Sequence, residues 1–264
     1  MIKDSRARII RKDSWGDYFL LSLESPEIAS GAQPGQFVMI RTSAQLHPLL
    51  RRPFSIHYAG EASVDIFFEK AGLGTSILSG KEVGGTLDII GPLGKGYSME
   101  AVEKGRTAAL VGGGRGIAPL YFLARRLLGA KIPVSVFYGG RTENDLPLKE
   151  KFDLDGIRVF LSTDDGSFGF HGLITECLEH QMEKDRFGRM FACGPDAMLE
   201  RIARISRERN IPAEVSLESL MGCGFGACWG CVRMIKTGEE PEWQKICEQG
   251  PVFAAGEVIW EDRR

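Results

Sequence analysis

Short runs of alternating apolar and polar positions recur through the first part of the chain, at residues 6–11, 18–23, 36–40, 64–68 and 86–90. Turn residues separate them, notably Pro34 with Gly35, Gly84 with Gly85, and the run from Gly91 to Gly94. Regularly spaced short strands of this kind predict an antiparallel sandwich or barrel. A short helix is expected around Thr75–Leu78. Near residue 106 the rhythm changes. Thr107–Val111 reads as a fully buried strand, followed by a glycine loop and a helix from about Ile117 to Leu128. Apolar strands recur at Val134–Tyr138, Arg158–Leu161, Met190–Ala192 and Ala213–Leu217, with helical patterns between them, clearest at Ala197–Arg209. Strands that alternate with helices predict a parallel α/β sheet. The expected organisation is a β-rich domain over residues 1–100, an α/β domain over 101–218 and a cysteine-bearing block over 219–264.

The bulk numbers narrow the function classes. The 264 residues are 43% hydrophobic and 26% charged, ordinary for a globular chain, and a net charge of −2 makes no electrostatic case for nucleic acid or an anionic membrane. No run approaches the ~18 apolar residues of a membrane span. The first residues, from Met1 to Arg8, lack the apolar core of a signal peptide. A cytoplasmic address with no membrane contact is expected. Six cysteines in such a chain point to metal or redox chemistry rather than disulfides.

Four of those cysteines carry the strongest signal. Cys223, Cys228 and Cys231 form a C-x4-C-x2-C run, and Cys247 follows after 15 further residues. The first three match the ligand spacing of plant-type 2Fe–2S ferredoxins. Gly222, Gly224, Gly226 and Gly230 lie among them, and positive φ at these glycines would turn backbone N–H groups toward the sulfurs. Structural zinc is the alternative, although a zinc ribbon pairs two C-x2-C knuckles and only one is present here. Phe225 and Trp229 are expected either to face a redox partner or to form an apolar shell around the cluster.

The α/β block carries a candidate nucleotide site. Gly112, Gly113, Gly114 and Gly116 lie in the turn between the first strand and its helix, where backbone can approach a pyrophosphate at a helix N-terminus. The spacing departs from G-x-G-x-x-G, so a plain tight turn remains open. Cys193, Gly194 and Pro195 follow a later strand, as do Asp164 and Asp165. Open α/β sheets bind ligands at these strand ends. The two aspartates either accept from ribose hydroxyls and repel a 2′-phosphate, or belong to an exposed turn. Cys193 also reads as a small buried residue.

The first block carries a candidate flavin segment. Arg52, Pro53, Phe54 and Ser55 place a guanidinium for phosphate, an aromatic ring and a hydroxyl on one run. Phe67, Phe68 and Glu69 precede a glycine turn containing Gly74 and Thr75. Each signal alone is weak, since Arg52 also fits a surface and the phenylalanines a core.

The order RPFS, GLGT, GGGRGIAPL, CGPDAM along the chain resembles the ferredoxin–NADP reductase superfamily. Its added cysteine block is similar to that of the electron-transfer subunits of dihydroorotate dehydrogenase B. The resemblance implies an FAD-binding antiparallel β-barrel, a Rossmann-like NAD-binding α/β domain and a C-terminal 2Fe–2S domain. It implies that Arg52, Pro53, Phe54 and Ser55, with Phe67, Phe68 and Glu69, bind FAD, and that Gly74 and Thr75 touch its pyrophosphate. It implies that Cys223, Cys228, Cys231 and Cys247 hold the cluster. The partner would be an FMN-containing, dihydroorotate-oxidising catalytic subunit, in a heterotetramer of two of each chain. Electrons would pass from that FMN through the cluster and FAD to NAD⁺, in pyrimidine biosynthesis. Three positions depart from the superfamily pattern: Phe54 replaces a common tyrosine, Glu69 a common basic residue, and Arg115 an often apolar one. Rival readings are a related FAD/2Fe–2S subunit of the ferredoxin reductase, sulfide dehydrogenase or electron-bifurcating type, and a zinc-stapled nucleotide-binding regulator.

Overall fold

The computed structural model describes residues 1–99, 102 and 105–260. Six antiparallel strands close into a barrel: β1 (Ile2–Trp15), β2 (Tyr18–Glu24), β3 (Phe37–Arg41), β4 (Arg52–Ala59), β5 (Ser63–Glu69) and β6 (Thr86–Leu93). Their order round the barrel is β1-β2-β5-β4-β3-β6. The short helices α1 (Pro26–Gly31) and α2 (Leu73–Ser79) follow β2 and β5. The alternation read from the sequence is the inward face: Leu21 and Leu23, Val38 and Ile40, Val64 and Ile66, and Leu87 and Ile89 fill the barrel.

One strand of the barrel was not foreseen. β4 covers the Arg52–Ser55 segment, expected as a binding run without assigned structure. Over residues 52–55 it pairs with β3, whereas β5 joins only from Ile56. One edge of that segment is therefore open, and Pro53, which has no N–H to donate, is accommodated there.

A seven-stranded sheet forms the second unit, in the order β10-β9-β8-β7-β11-β12-β15. Its strands are β7 (Thr107–Gly113), β8 (Val134–Gly140), β9 (Ile157–Thr163), β10 (Phe170–His171), β11 (Phe187–Cys193), β12 (Ala213–Ser216) and β15 (Val252–Ala254). All neighbours are parallel except β15, which runs antiparallel to β12. Helices cover both faces. Ala108 and Leu110 of β7 pack with α3 (Ala118–Gly129), while Ala109 and Val111 pack with α4 (Ile174–Met182) and α5 (Asp196–Arg209). That two-sided burial explains the continuous apolar run. The cysteine block contributes the hairpin β13 (Val232–Ile235) with β14 (Glu242–Lys245), and then β15, so its last strand extends the α/β sheet. No helix among the described residues is long and apolar enough to cross a membrane.

Helix α3 also packs on the barrel. Phe122 joins the barrel core and meets Tyr58 edge-on. Fully buried His57 of β4 lies 2.8 Å from the Ala118 carbonyl through Nδ1, so Nδ1 carries the proton and donates; Nε2 is buried without a partner. Burial, with Lys151 adding to it against the opposing Ala118 hydrogen bond, lowers its pKa to about 3. An unfolded histidine titrates near 6.5, so the unfolded chain binds the extra proton between the two values. The stability held by neutral His57 is complete above about pH 6.5 and is lost as the pH falls toward 3. We expect the unfolding midpoint to fall over that range with a contribution of up to about 1.4 kcal/mol per pH unit, and His57→Gln to flatten the dependence. Melting curves taken across the range check this.

Candidate functional site

The turn after β7 is a short 3₁₀ segment, Gly114–Ile117, that leads into α3. Pro119 lies in the helix's first turn, where its missing N–H costs nothing. Gly114 takes φ of +52°, and a Cβ on Gly116 would run into the Cys193 carbonyl. A Cβ on Gly194 would stand 3.1 Å from the Gly113 nitrogen. The turns after β7 and β11 therefore meet backbone to backbone, and beside them opens a cleft of about 950 Å³.

Among the residues expected to bind a nucleotide, Gly113, Gly114, Gly116, Asp164, Gly194 and Pro195 line that cleft. Three others do not. Gly112 remains in β7, where a Cβ would strike Ile117. Asp165 is turned into its own loop, its carboxylate accepting from the Ser167 N–H at 2.9 Å. Buried Cys193 lines a second, smaller cavity instead, and burial first of all pushes its thiol up to about 12. That disfavours a thiolate and fits the packing alternative. The cleft also takes in residues the sequence did not single out, among them Tyr18, Asp145 and Glu176. Tyr18 donates from its hydroxyl to Asp145 at 2.8 Å across the boundary between barrel and sheet. No local pattern could have revealed this, because 127 residues separate the two.

The second cavity, about 250 Å³, lies along the open edge of β4. Pro53, Phe54, Ser55, Phe67, Phe68, Glu69 and Thr75 line it, which joins both candidate flavin segments. Arg52 and Gly74 are adjacent just outside: a Cβ on Gly74 would come within 3.0 Å of the Arg52 Nε. Thr75 braces the glycine turn, its Oγ1 accepting from the Ala71 and Gly72 N–H groups at 2.9 and 3.1 Å. Apolar faces along an open strand edge, beside a guanidinium held against glycine, suit a flavin with its phosphates. Glu69, Arg115 and Glu218 line both cavities. Glu69 and Arg115, two departures from the superfamily pattern, pair with each other at 3.1 Å.

The cysteine loop packs on the barrel, with Gly224 set against Met39 of β3. Among the described residues no group of three or more His, Cys, Asp or Glu side chains is arranged to hold one metal ion. Side-chain hydrogen bonds link Cys223 with Cys228 and Cys231 with Cys247, and Cys223 also acts on Cys247 through its charge. A 2Fe–2S cluster spreads four thiolates over two irons, which suits pairs better than one tetrahedral zinc does. Burial raises the Cys223 thiol, but hydrogen bonds from the Phe225 and Cys228 N–H groups, the Cys228 side chain and the Ala227 N–H outweigh it and bring it down to about 7. Burial, with Cys231 alongside, pushes Cys247 up to about 12, against a hydrogen bond from the Gly226 N–H. The expected N–H donors are thus present, but by a different backbone. Gly224 and Gly226 take positive φ, as does Trp229, whereas Gly222 and Gly230 do not. The latter two instead leave room for Cys228, whose sulfur would stand 3.2 and 3.5 Å from a Cβ at each. Phe225 and Trp229 are exposed, at 47% and 58%, which favours a surface for a partner over a closed shell.

Comparison with known proteins agrees with this geometry. Residues 218–259 match the iron–sulfur cluster binding domain of dihydroorotate dehydrogenase B, and residues 110–204 match the oxidoreductase NAD-binding domain. The electron transfer subunit of dihydroorotate dehydrogenase B (NAD(+)) from Bacillus caldolyticus is 40% identical over 90% of this chain and 91% of its own. The subunit of the same name from Shouchella clausii is 37% identical over 97% and 98%. The chain belongs to this family. Among solved structures, the NADH-dependent reduced ferredoxin–NADP oxidoreductase studied for flavin-based electron bifurcation overlaps at a TM-score of 0.86, with 29% identity over 98% of this chain and 91% of that one. A ferredoxin NADP⁺ reductase from Neisseria gonorrhoeae with bound FAD and NADP shares the fold at a TM-score of 0.64 and 15% identity, over 77% of this chain and 90% of that one.

Two expectations follow for this member of the dihydroorotate dehydrogenase B family. Gly116→Ala should weaken NADH binding at least about tenfold, because the Cβ collides with backbone that cannot rotate away; equilibrium titration measures it. NADH should be preferred to NADPH, since Asp164 and Glu176 line the cleft and a 2′-phosphate adds nearly two negative charges. In Asp164→Ser the ratio of the two kcat/KM values should narrow.

Proposed function

We propose that the chain is the electron carrier of a dihydroorotate-oxidising complex, moving electrons between the FMN of a catalytic partner subunit and NAD⁺ by way of a 2Fe–2S cluster and FAD. The supporting observation is the position of the smaller cavity. It shares three wall residues with the nucleotide cleft and also takes in Ser219 and Met221, which lead into Cys223. A flavin held there exchanges electrons in pairs with nicotinamide and singly with an iron–sulfur cluster. The chain's own residues bind, orient and insulate. In this reading Arg52 and the glycine turn at Gly74 and Thr75 hold the FAD phosphates. Pro53, Phe54, Ser55, Phe67, Phe68 and Glu69 line the ring site. Gly113, Gly114, Gly116, Gly194 and Pro195 give NAD a side-chain-free backbone surface. Cys223, Cys228, Cys231 and Cys247 ligate the cluster, with Cys228 on the exposed side and Cys231 and Cys247 buried. The domain limits at residues 100 and 218, a heterotetramer of two of each chain and a cytoplasmic address belong to the same proposal.

Overlap at a TM-score of 0.86 with an NADH-dependent ferredoxin–NADP oxidoreductase favours a second reading, a related NAD(P)H reductase subunit. Assays separate the two. Purified with its catalytic partner, the chain should couple dihydroorotate oxidation to NAD⁺ reduction. Alone it should pass electrons from NADH to artificial acceptors and leave dihydroorotate untouched. Iron and acid-labile sulfide should each be about two per chain. Cys228→Ser should abolish the dihydroorotate-to-NAD⁺ reaction while retaining FAD and its reduction by NADH. A partner complex that ignores dihydroorotate but reduces ferredoxin would establish the second reading.

A further inference from the structure

The wall between the two cavities is built from Glu69 at the end of β5, Arg115 in the turn after β7, and Glu218 beyond β12. Nicotinamide and flavin must meet ring to ring for hydride transfer, so this wall stands where they would touch. Arg115 Nη1 donates to Glu69 Oε2 at 3.1 Å, and the two side chains are 47% and 30% exposed. An exposed pair of this kind is held weakly. Its contact with Glu69 is through one nitrogen and one oxygen. A phosphate accepts a guanidinium bidentately and with more charge. Arg115 stands between Gly114 and Gly116, on the backbone surface where the nucleotide phosphates would lie.

We infer that the Glu69–Arg115 pair is a latch displaced by the dinucleotide: its phosphates take Arg115 from Glu69, and the wall opens where the pair stood. The inference rests on reading the larger cleft as the NAD site. The barrel need not separate from the sheet for this. Tyr18, the cross-strand partner of Glu69, is only 9% exposed and keeps its own hydrogen bond to Asp145. One crossing between the units stays closed while its neighbour exchanges partners. Two side chains that each depart from the superfamily pattern are thereby explained as a pair, with Glu69 holding Arg115 in reserve and away from the glycine surface.

The test uses ADP-ribose, which has both phosphates of NAD but no nicotinamide. FAD-loaded wild type, Glu69→Gln, Arg115→Ala, Arg115→Lys and the Glu69→Gln/Arg115→Ala double variant are titrated calorimetrically, with far-ultraviolet circular dichroism as the check on folding and FAD content matched between variants. Arg115→Ala should bind about tenfold more weakly, the size of a lost charge-assisted hydrogen bond, and Arg115→Lys should recover part of the loss. Glu69→Gln should bind about two- to fivefold more tightly, the size of an exposed ion pair no longer opposing release. The double variant should bind like Arg115→Ala alone, because Glu69 acts only through Arg115. ADP-ribose should also perturb the visible flavin spectrum of wild type more than that of Arg115→Ala at saturation, since it has no nicotinamide ring to stack on the flavin and the displaced wall adds to the effect of its charge. Unchanged or weaker binding in Glu69→Gln, or additive effects in the double variant, would overturn the latch while leaving the NAD site intact. A wild type that binds neither ADP-ribose nor NAD⁺ would overturn the NAD site and the latch together.

Discussion

The close approach of two backbone turns sets the positions of everything around it. The turns that follow β7 and β11 touch at Gly116 and at Gly194, and no side chain fits between them. Their contact fixes where α3 begins, and α3 is the element that the sheet and the barrel share. Ala118, at its start, accepts from buried His57 of β4, so the barrel is located relative to the same turn that lines the larger cleft. The two cavities lie side by side because each is bounded by that turn: Arg115 belongs to both, and Ala118 to the smaller.

The cysteine block is held by the same economy of backbone contact. Gly224 lies on Met39 of the barrel, and β15 pairs with β12 of the sheet. Lys245 ties the loop internally, its ammonium donating to the Gly226 carbonyl and to Glu248, both at 2.8 Å. It also lies 4.7 Å from the Trp229 ring centre. The block is thus wedged against both other units. Its buried thiols, Cys231 and Cys247, join the core that includes Phe37 and Met39, and Cys228 faces outward. That polarity suits a cluster with a flavin on one side and a protein partner on the other.

Much of the fold is legible along the chain, for identifiable reasons. Alternation in the barrel strands and continuous burial in β7 are periodic signals, and they locate those elements within a few residues. β4 was hidden because its informative residues read as chemistry and because Pro53 argues against a strand unless one edge is free. The cysteine spacing is local and unambiguous in register. The candidate flavin segments, 52–55 and 67–75, are recognisable singly but weak, and gain force only when the barrel sets them on one cavity.

What the sequence determined by itself is what short-range spacing can encode: the spacing of Cys223, Cys228, Cys231 and Cys247, the glycine turns, and the change from period-two strands to alternating strands and helices. The tertiary structure decided which residues share a wall. It sent Asp164 into the cleft and Asp165 out of it, moved Cys193 to the smaller cavity, and paired Glu69 with Arg115 and Tyr18 with Asp145. The reason is physical. Those contacts join strand ends to turns 46 and 127 residues away. Their partners are chosen by how β2 and β5 dock against the turns after β7 and β8, and no periodicity within either segment records that docking.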